Sequence, residues 1–263
     1  MILDEIKVIT DNIQINLPFS QYKTGKLIRS KLGILLLKAF EIDIKKEHLS
    51  FLTAIELIHN ASLLHDDVID NERIRRNSET INSRFNNKTA ILYGNLILSN
   101  AIDLILNLNN VKLIELVNKT VQNMCQGELE QLSQIKRIPT LKEYLNKTKL
   151  KTATLFECLV TGLSILTNQD LPKEFGINFG LAFQIKNDLD DYKHGIENSK
   201  DISNQIYTAP VIFAKEVKFD ENAIEKTLRL IDNYSQRAIS SLNCLKNNEY
   251  KDAIIEVIKC LLN

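Results

Sequence analysis

Apolar residues recur at intervals of three and four along almost the whole chain, whereas alternating apolar and polar runs are scarce. The first spacing is the period of an amphipathic helix and alternation is the period of a strand, so the pattern predicts an all-α fold. Only eight Gly and four Pro interrupt the 263 residues, which favours long helices over a turn-rich β architecture. The pattern predicts helices over residues 2–15, 20–40, 48–71, 86–108, 110–135, 140–167, 172–192, 207–217, 221–246 and 248–262.

No glycine- or serine-rich linker and no block of like charge divides the sequence, so we expect one domain that covers residues 1–263. Two stretches, 88–108 and 153–167, are apolar around most of the helix circumference. Helices of that kind lie in the middle of a bundle rather than on its outside. The sequence therefore predicts a single-domain bundle of about ten or more helices.

The densest cluster of charge lies in the stretch LLHDDVIDNERIRR. On a helix, Asp66 and Asp70 stand one turn apart on the same face, with Asp67 beside them. Carboxylates this close repel one another, and oxygen ligands of this kind suit Mg²⁺, which usually bridges to substrate phosphates. Arg75 and Arg76 follow and offer the forked donors that phosphate oxygens prefer. Because apolar residues lead into this cluster, it predicts a metal-bound diphosphate rather than a solvated helix face.

A second acidic cluster lies towards the other end of the chain, where Asp188 and Asp191 are three residues apart and follow Asn187. Apolar residues again lead into it. Buried carboxylates without partners are costly, so a bundle whose inner helices carry such clusters should enclose a central apolar cavity. Two acidic faces across a cavity could hold metal ions that neutralise a departing diphosphate, while apolar walls shelter a carbocation.

The charge balance and the cysteines exclude several classes of function. Formal net charge is zero and the sequence pI is near 6.9, so no global field favours nucleic acid or an anionic membrane. The cysteines stand singly in apolar stretches, which, without a signal peptide, is typical of a reducing, cytoplasmic compartment. No apolar run reaches the roughly eighteen residues of a membrane span, so no transmembrane segment is expected.

The motifs resemble those of the trans-isoprenyl (polyprenyl) diphosphate synthase family, with an overall character similar to its medium- and long-chain, octaprenyl-type members. DDVID and the two arginines after it look like the family's first aspartate-rich motif and its RR pair, and NDLDD looks like the second motif. TGKLIR is similar to the family's phosphate loop. Further stretches that fall in family order are Glu56 to His59, Gly127 to Gln131, Lys151-Thr152, Phe183-Gln184 and Thr208 to Pro210.

The resemblance implies an all-α isoprenoid synthase fold and a homodimer. It also implies a prenyltransferase that joins isopentenyl diphosphate head to tail, in trans, to an allylic diphosphate, with the released diphosphate as the base. Up to about three Mg²⁺ ions are implied, with the metal ligands Asp66, Asp67, Asp70, Asp188 and Asp191. Lys26, Arg29, His59 and Arg76 would bind isopentenyl diphosphate, and Arg75, Lys151, Thr152 and Gln184 the allylic diphosphate. The catalytic set would be Asp66, Asp67, Asp70, Lys151 and Asp188.

Small residues before the first motif predict a long product. In the family, bulky aromatics four or five residues before this motif stop chain growth early, and here those positions are Ser62 and Ala61. The floor of the cavity is then expected deeper, at Ile58 or on a neighbouring helix. The resemblance implies a product longer than C15, with roughly six to eight isoprene units, as a quinone side-chain precursor.

Several positions depart from the family pattern. Asn187 replaces the first Asp of the second motif, and Ile206 stands where the family has a lysine that contacts the allylic diphosphate. Asn95 replaces an Asp, Leu27 an Arg and Asn77 a Gly. These substitutions leave open the hypothesis that the chain is a weakened paralogue, or a non-catalytic partner subunit of an active synthase. A third hypothesis is a class I terpene cyclase, but such an enzyme does not need basic residues for a second diphosphate. The intact first motif and basic residues favour an active synthase.

Overall fold

The computed structural model describes residues 2–17 and 25–262, and within these ranges nearly all regular structure is helical. The α-helices are α1 (Leu3–Asn16), α2 (Ile28–Ala39), α3 (Lys46–Ile69), α4 (Ile81–Arg84), α5 (Asn87–Leu106), α6 (Val111–Ser133), α7 (Leu141–Thr148), α8 (Thr154–Thr167), α9 (Lys173–Lys193), α10 (Lys200–Ser203), α11 (Ala209–Ala214), α12 (Glu221–Ser241) and α13 (Glu249–Lys259). The strands β1 (Ile74–Arg75) and β2 (Ser78–Glu79) form an antiparallel hairpin, with Ile74 opposite Glu79.

The prediction of an all-α fold is confirmed, and most predicted helices match an observed one to within a few residues. The stretch predicted as one helix over 140–167 contains a π-helical turn, Lys149–Ala153, between α7 and α8. The predicted helix 20–40 starts at Ile28 in the described part of the chain, and residues 18–24, which include Thr24 of the predicted phosphate loop, lie outside the described residues. The hairpin and the short helices α4 and α10 were not predicted.

The chain divides into two compact units, and the expectation of a single domain stays a prediction. The first unit contains the described residues up to Glu115 together with Ile165–Thr167. Helix α3 is central to it and packs against α1, α2 and α5. Every residue from Phe51 to Ile58 is buried, which means that all faces of α3 are covered there.

The second unit contains Leu116–Ser164 and the described residues from Asn168 onwards. Helix α9 is central to it and packs against α12 and the π-helical turn. One face of α9 carries Phe175, Phe179 and Phe183, stacked at centroid distances of 5.7 and 6.1 Å. Phe156 of α8 meets Phe179 edge to face at 5.2 Å. These rings give the second unit an aromatic core from which the last turns of α9 emerge.

Two helical stretches are long and apolar enough to cross a membrane by length and composition alone. They are Asn87–Leu106, with a mean hydropathy of 1.5, and Leu141–Thr167, with a mean hydropathy of 1.3. The buried share of their most apolar windows is 28% and 50%. Core helices of globular proteins meet the same two criteria, so the evidence for a span is weak. The expectation that the chain has no transmembrane segment stays a prediction.

Candidate functional site

The first acidic cluster lies at the C-terminal end of α3. Asp70 is the residue at which the helix ends, and its backbone N–H donates to the Asp66 carbonyl at 2.8 Å, so these two aspartates stand one turn apart as predicted. Asp67 is buried, whereas Asp66 and Asp70 are half-buried. The negative end of a helix dipole disfavours carboxylates, and the last turn of α3 contains no basic residue. This end of α3 therefore favours a bound cation.

Arg75 is held by the same cluster. Its Nε donates to Oδ1 of Asp67 at 2.5 Å, across the turn that joins α3 to β1. The Asn82 side chain donates to the carbonyls of Asp67 and Glu72, both at 3.0 Å, which anchors the hairpin to the end of α3. The predicted contact of Arg75 with an allylic diphosphate stays a prediction.

The turn of the hairpin aims Arg76 at the loop before α2. Arg76 and Asn77 both have left-handed backbone conformations, with φ of 52° and 57°. This is the geometry of a type I′ turn, which glycine or asparagine normally adopts, and an arginine there carries about 1–2 kcal/mol of strain. The guanidinium lies against Gly25, where an added Cβ would stand 2.5 Å from its Nη2. A side chain at position 25 would therefore displace the guanidinium of Arg76.

A basic group gathers at the start of α2. Burial lowers the pKa of Arg29 to about 10, the positive charge of Arg76 adds to this, and Glu56 opposes it. Burial also lowers the pKa of His59 well below its usual value, together with the charges of Arg29, Arg76 and Arg75, so His59 is neutral at pH 7. Glu56 is buried and accepts from the Ser30 backbone N–H at 2.9 Å.

The N-terminus of α2 itself is suited to an anion. It has no side-chain cap and no acidic residue in its first turn. Lys26 is exposed immediately before it, and Arg29 lies in that first turn. The Ser30 N–H in that turn already donates to Glu56, so the attraction for an anion comes mainly from the basic side chains. The structure thus brings Arg29, His59 and Arg76 together, with Lys26 at the rim of the group.

The residues predicted to set product length lie on α3, one to two turns before Asp66. Ile58 and Ala61 are both buried, each with 2% of its surface exposed. Ser62 is half-buried, and its hydroxyl donates to the His59 carbonyl at 2.9 Å. Their predicted part in chain-length control stays a prediction.

In the second unit, three predicted residues form one chain of hydrogen bonds. The Thr152 hydroxyl donates to Oε1 of Gln184 at 3.2 Å, and Nε2 of Gln184 donates to Oδ1 of Asp188 at 2.6 Å. The other oxygen of Asp188 accepts from the buried Tyr144 hydroxyl at 2.6 Å. Burial raises the pKa of Asp188, and the charge of Asp191 adds to this.

Asp191 holds the segment that follows α9. Its Oδ2 accepts from the Ser199 hydroxyl and from the Asp201 backbone N–H, and its Oδ1 accepts from the Lys200 N–H at 3.0 Å. It therefore fixes the start of α10, and its predicted role as a metal ligand stays a prediction. Asn187, the first residue of this motif, is exposed.

Lys151 lies in the π-helical turn and forms an ion pair with Glu128 of α6. The approach of α6 is close, because a Cβ on Gly127 would lie 2.4 Å from the Lys151 backbone nitrogen. Gln131 donates to Glu128 at 3.3 Å and accepts from Nζ of Lys147 at 3.4 Å. The stretch from Gly127 to Gln131 thus positions Lys151.

Sequence reasoning missed Tyr144, Lys147 and Asp201. Tyr144 and Lys147 precede Lys151 at helical spacing, so the sequence carried a signal that they share its face. Nothing local in the sequence paired Tyr144 with Asp188, which is 44 residues away.

The oxygen ligands of α3 fit Mg²⁺ by their chemistry. In the described part of the chain, no three His, Cys, Asp or Glu side chains converge on one point. Mg²⁺ commonly takes only one or two carboxylates and completes its shell with water and substrate phosphate. Asp66 and Asp70 could supply such ligands, with Asp67 tied to Arg75.

Comparison with known proteins gives the same family throughout. The polyprenyl synthetase family model matches residues 14–244. The chain is 34% identical to a probable mitochondrial hexaprenyl pyrophosphate synthase of Yarrowia lipolytica, over 80% of this chain and 55% of that protein. It is also 34% identical to a decaprenyl-diphosphate synthase of Dictyostelium discoideum, over 88% of this chain and 58% of that protein. The chain therefore spans little more than half the length of these curated relatives.

A solved structure shares the fold. The polyprenyl synthase from Caulobacter crescentus CB15, complexed with calcium and isoprenyl diphosphate, superimposes with a TM-score of 0.89 at 21% identity, over 99% of this chain and 95% of that one. Together, the match of the family model to most of the sequence and the ordered motifs on α2, α3 and α9 show that the chain belongs to the polyprenyl synthetase family.

Proposed function

We propose that the chain is a Mg²⁺-dependent prenyltransferase that condenses isopentenyl diphosphate with an allylic diphosphate, in trans and head to tail. One observation carries the proposal. The acidic end of α3 and the basic group at the start of α2 lie in the same compact unit, and Arg76 is held in a strained conformation between them. Carboxylates for a metal and guanidinium groups for phosphate are the two requirements of diphosphate ester chemistry.

Different side chains bind the diphosphates of the two substrates. Arg29, Arg76 and Lys26, with the N-terminus of α2, bind the diphosphate of the isopentenyl substrate, and neutral His59 supplies a hydrogen bond rather than a charge. In the second unit, Thr152 and Gln184 orient the Asp188 carboxylate, and Lys151 supplies a cation for the allylic diphosphate. Bound Mg²⁺ neutralises the charge that develops on the leaving diphosphate. That diphosphate also accepts the proton lost after condensation, so the chain needs no side-chain base.

The metal ligands are proposed to be Asp66, Asp67 and Asp70 on α3, with Asp188 and Asp191 on α9, for up to about three ions. The donor set consists of carboxylates alone, which is the chemistry that hard cations select. The relative from Caulobacter crescentus is complexed with calcium, another hard cation.

We propose that the product is longer than C15 and serves as a quinone side-chain precursor. The two relatives described above are named for hexaprenyl and decaprenyl products. The small side chains of Ala61 and Ser62 would not block a growing chain, so we place the end of the product channel at Ile58 or beyond.

Ala61→Phe tests this assignment. If Ala61 faces the growing chain, the ring shortens the product to roughly C15–C20 in a folded, active enzyme. If Ala61 only packs between helices, the ring destabilises the core by about 1–3 kcal/mol and leaves product length unchanged. Thin-layer or mass analysis of the products, beside an unfolding curve, separates the two results. A folded variant with wild-type product would contradict the assignment.

We propose a homodimer that forms through α5. Its large apolar residues Ile91, Leu92, Leu96, Ile102 and Leu106 lie on one face of the helix, and each is at least 42% exposed. A second copy of the chain would cover this face. Leu96→Glu should shift the protein from dimer to monomer in light scattering, and an unchanged mass would contradict the proposal.

We also propose that the protein resides in the cytoplasm. All four cysteines, Cys125, Cys158, Cys244 and Cys260, are free thiols, as in a reducing compartment. Cell fractionation with an antibody to the chain tests this.

The competing functions are a non-catalytic partner subunit and a class I terpene cyclase. The exposed Asn187 and the apolar Ile206 favour the first of these. The basic group at α2 argues against the second, because a cyclase binds one diphosphate. Incubation of the purified protein with farnesyl diphosphate, labelled isopentenyl diphosphate and Mg²⁺ separates the three. Elongation supports the synthase, no product supports the subunit, and a cyclic hydrocarbon supports the cyclase.

A further inference from the structure

Helix α9 carries a row of residues at successive intervals of four, which is one of the ridges along which helices pack. The row consists of Gly176, Gly180, Gln184 and Asp188. Both glycines and Asp188 are buried, and Gln184 is half-buried. The first half of the ridge therefore has no side chains, and the second half carries polar ones.

The two glycines mark places where another segment of the second unit approaches the α9 backbone closely. A Cβ added at Gly176 would lie 2.4 Å from the carbonyl oxygen of Phe156 in α8. A Cβ added at Gly180 would lie 2.6 Å from Cα and 2.9 Å from Cβ of Ala153, the last residue of the π-helical turn. The segment opposite the ridge thus runs antiparallel to α9 and leaves no room for a side chain at either position.

Polar contacts continue along the same ridge after the glycines. One turn after Gly180, Oε1 of Gln184 accepts from the Thr152 hydroxyl at 3.2 Å, and Nε2 of Gln184 donates to Asp188 at 2.6 Å. Thr152 directly precedes Ala153 in the π-helical turn. The contact of Ala153 with Gly180 therefore sets how closely Thr152 approaches α9.

A methyl group at position 180 would separate these two backbones. Nonbonded carbon atoms are most stable at about 3.5–4.0 Å, so the contact with Ala153 Cα would have to lengthen by about 1 Å. The Cα belongs to the backbone and cannot rotate away. The hydrogen bond from Thr152 to Gln184 is already long for a hydroxyl donor, and a shift of this size would break it.

Packing alone accounts for one of the glycines but not for the position of the other. A glycine inside a helix makes that helix less stable than an alanine would, so its presence indicates that the close approach is needed. For Gly176 the approaching residue is Phe156, which belongs to the regular helix α8. For Gly180 the approaching residue belongs to the turn that contains Lys151 and Thr152. The two glycines therefore bring different parts of the chain close to α9.

We propose that Gly180 is a positioning residue: because it has no side chain, the π-helical turn lies close enough to α9 for Thr152 to hold Gln184 in place. Gln184 in turn orients the Asp188 carboxylate. This first part concerns the folded chain alone. A second part rests on the proposed function: the same spacing sets the affinity for the allylic diphosphate, because Lys151 and Thr152 are proposed to bind it.

Double-mutant cycles test the first part. Thr152→Val removes the hydroxyl that donates to Gln184, and in the wild-type chain it should lower the thermal unfolding midpoint by roughly 2–4 °C. In the Gly180→Ala background this hydrogen bond is already broken, so Thr152→Val should lower the midpoint by less than half as much. Gly176→Ala is the matched control, with the same substitution on the same ridge, and there Thr152→Val should keep its full effect.

An effect of Thr152→Val that is the same in all three backgrounds would overturn the proposal, and so would an equal reduction in both glycine variants. If Gly180→Ala does not fold, Ala153→Ser replaces it, because it enlarges the residue on the other side of the same contact. A reduced effect of Thr152→Val in that background supports the proposal, and a full effect overturns it. If Gly176→Ala does not fold, Val160→Ala, at a buried position of α8, serves as the control.

Steady-state kinetics with Mg²⁺ and both diphosphate substrates test the second part. Gly180→Ala should raise the KM for the allylic diphosphate by roughly ten-fold, because the turn that binds it is displaced. The KM for isopentenyl diphosphate should not change, since the residues proposed for it belong to the first unit. Gly176→Ala should change neither KM.

An unchanged KM for the allylic diphosphate, or an equal rise for both substrates, would overturn the second part. A wild-type chain that does not elongate would refute the proposed function and the second part with it. The unfolding cycles would still decide whether Gly180 sets the contact between Thr152 and Gln184.

Discussion

The two acidic clusters differ in what holds them. On α9, Asp188 accepts from Tyr144 and Gln184, and Asp191 accepts from a hydroxyl and two backbone N–H groups, so donors from the second unit fix both carboxylates. On α3, Asp66 and Asp70 are half-buried at the negative end of a helix, with Arg75 bonded to Asp67 between them. Donors around the α9 cluster therefore orientate its carboxylates, whereas the end of the helix dipole gives the α3 cluster an electrostatic preference for a cation.

The largest expected effect comes from breaking the α3 cluster. Asp66→Ala or Asp70→Ala should lower turnover by at least about 10²–10³-fold, because the loss removes charge neutralisation at the leaving group. The folded state should survive, since both residues are half-buried. Steady-state turnover and circular dichroism measure the two properties.

Asp191→Ala is the matched variant on α9 and should lower turnover less. Its main effect should fall on the start of α10, which its carboxylate holds. Wild-type turnover for Asp66→Ala would refute the mechanism, and an equal loss for both variants would refute the distinction between the clusters.

Tyr144→Phe tests the orientation of Asp188. The change removes one buried donor and leaves a buried carboxylate oxygen without it, which should reduce the free energy of unfolding by about 1–3 kcal/mol. Urea denaturation measures this loss. Tyr234→Phe, at a half-buried position on α12, is a control with the same chemical change in the second unit. A loss no larger than that of the control would show that the hydrogen bond does not hold Asp188.

The free energy of unfolding should fall at acid pH, and His59 on α3 should account for part of that fall. Because the folded pKa of His59 lies well below the unfolded value, the neutral ring stabilises the fold above about pH 6.5, and this contribution is lost as the pH falls towards the folded pKa. His59→Gln should reduce the loss of stability between pH 7 and pH 5 by about 1 kcal/mol. Urea titrations at both pH values measure it. The exposed His194→Gln is the control, and identical slopes in all three proteins would contradict the prediction.

The smallest expected effect is an increase in Mg²⁺ affinity from a substitution on α9. Asn187→Asp adds a carboxylate to an exposed position on the turn that carries Asp188 and Asp191. The apparent affinity for Mg²⁺ should rise by a few-fold, about 1 kcal/mol or less, because the position is solvated. A Mg²⁺ titration of activity measures it. An unchanged curve would mean that residue 187 does not act on the metals.

The sequence predicted the long helices well because their signal is local. Helix α5 was expected over 86–108 and is observed as Asn87–Leu106. The hairpin was not predicted, because strands of two residues have no periodicity and the turn Arg76-Asn77 lacks the glycine that usually marks a hairpin. The phosphate-binding role proposed for Arg76 would account for an arginine there, whereas turn propensity would not.

The candidate site was predictable wherever chemistry lies in a contiguous motif, as in Asp66 to Arg76. It was not predictable where the residues that hold a carboxylate come from distant helices. Locally, Lys147 looks like one more lysine of a surface helix, and only the fold shows that it is buried over the ring of Tyr144, whose hydroxyl donates to Asp188. Contacts between residues far apart along the chain leave no spacing that a sequence pattern could report.

The π-helical turn Lys149–Ala153 has a consequence for how this part of the chain can change. A π turn is one residue longer than the α turn that would replace it. Because the extra residue is accommodated inside the turn, the helices on either side keep the phase of one continuous helix. Deletion of one residue there would therefore close the turn into regular α-helix and leave Tyr144 on the same face. The cost would fall on Lys151 and Thr152, which lie inside the turn and contact Glu128 and Gln184. The wider turn thus sets how two side chains are presented, without changing the direction of the helices around it.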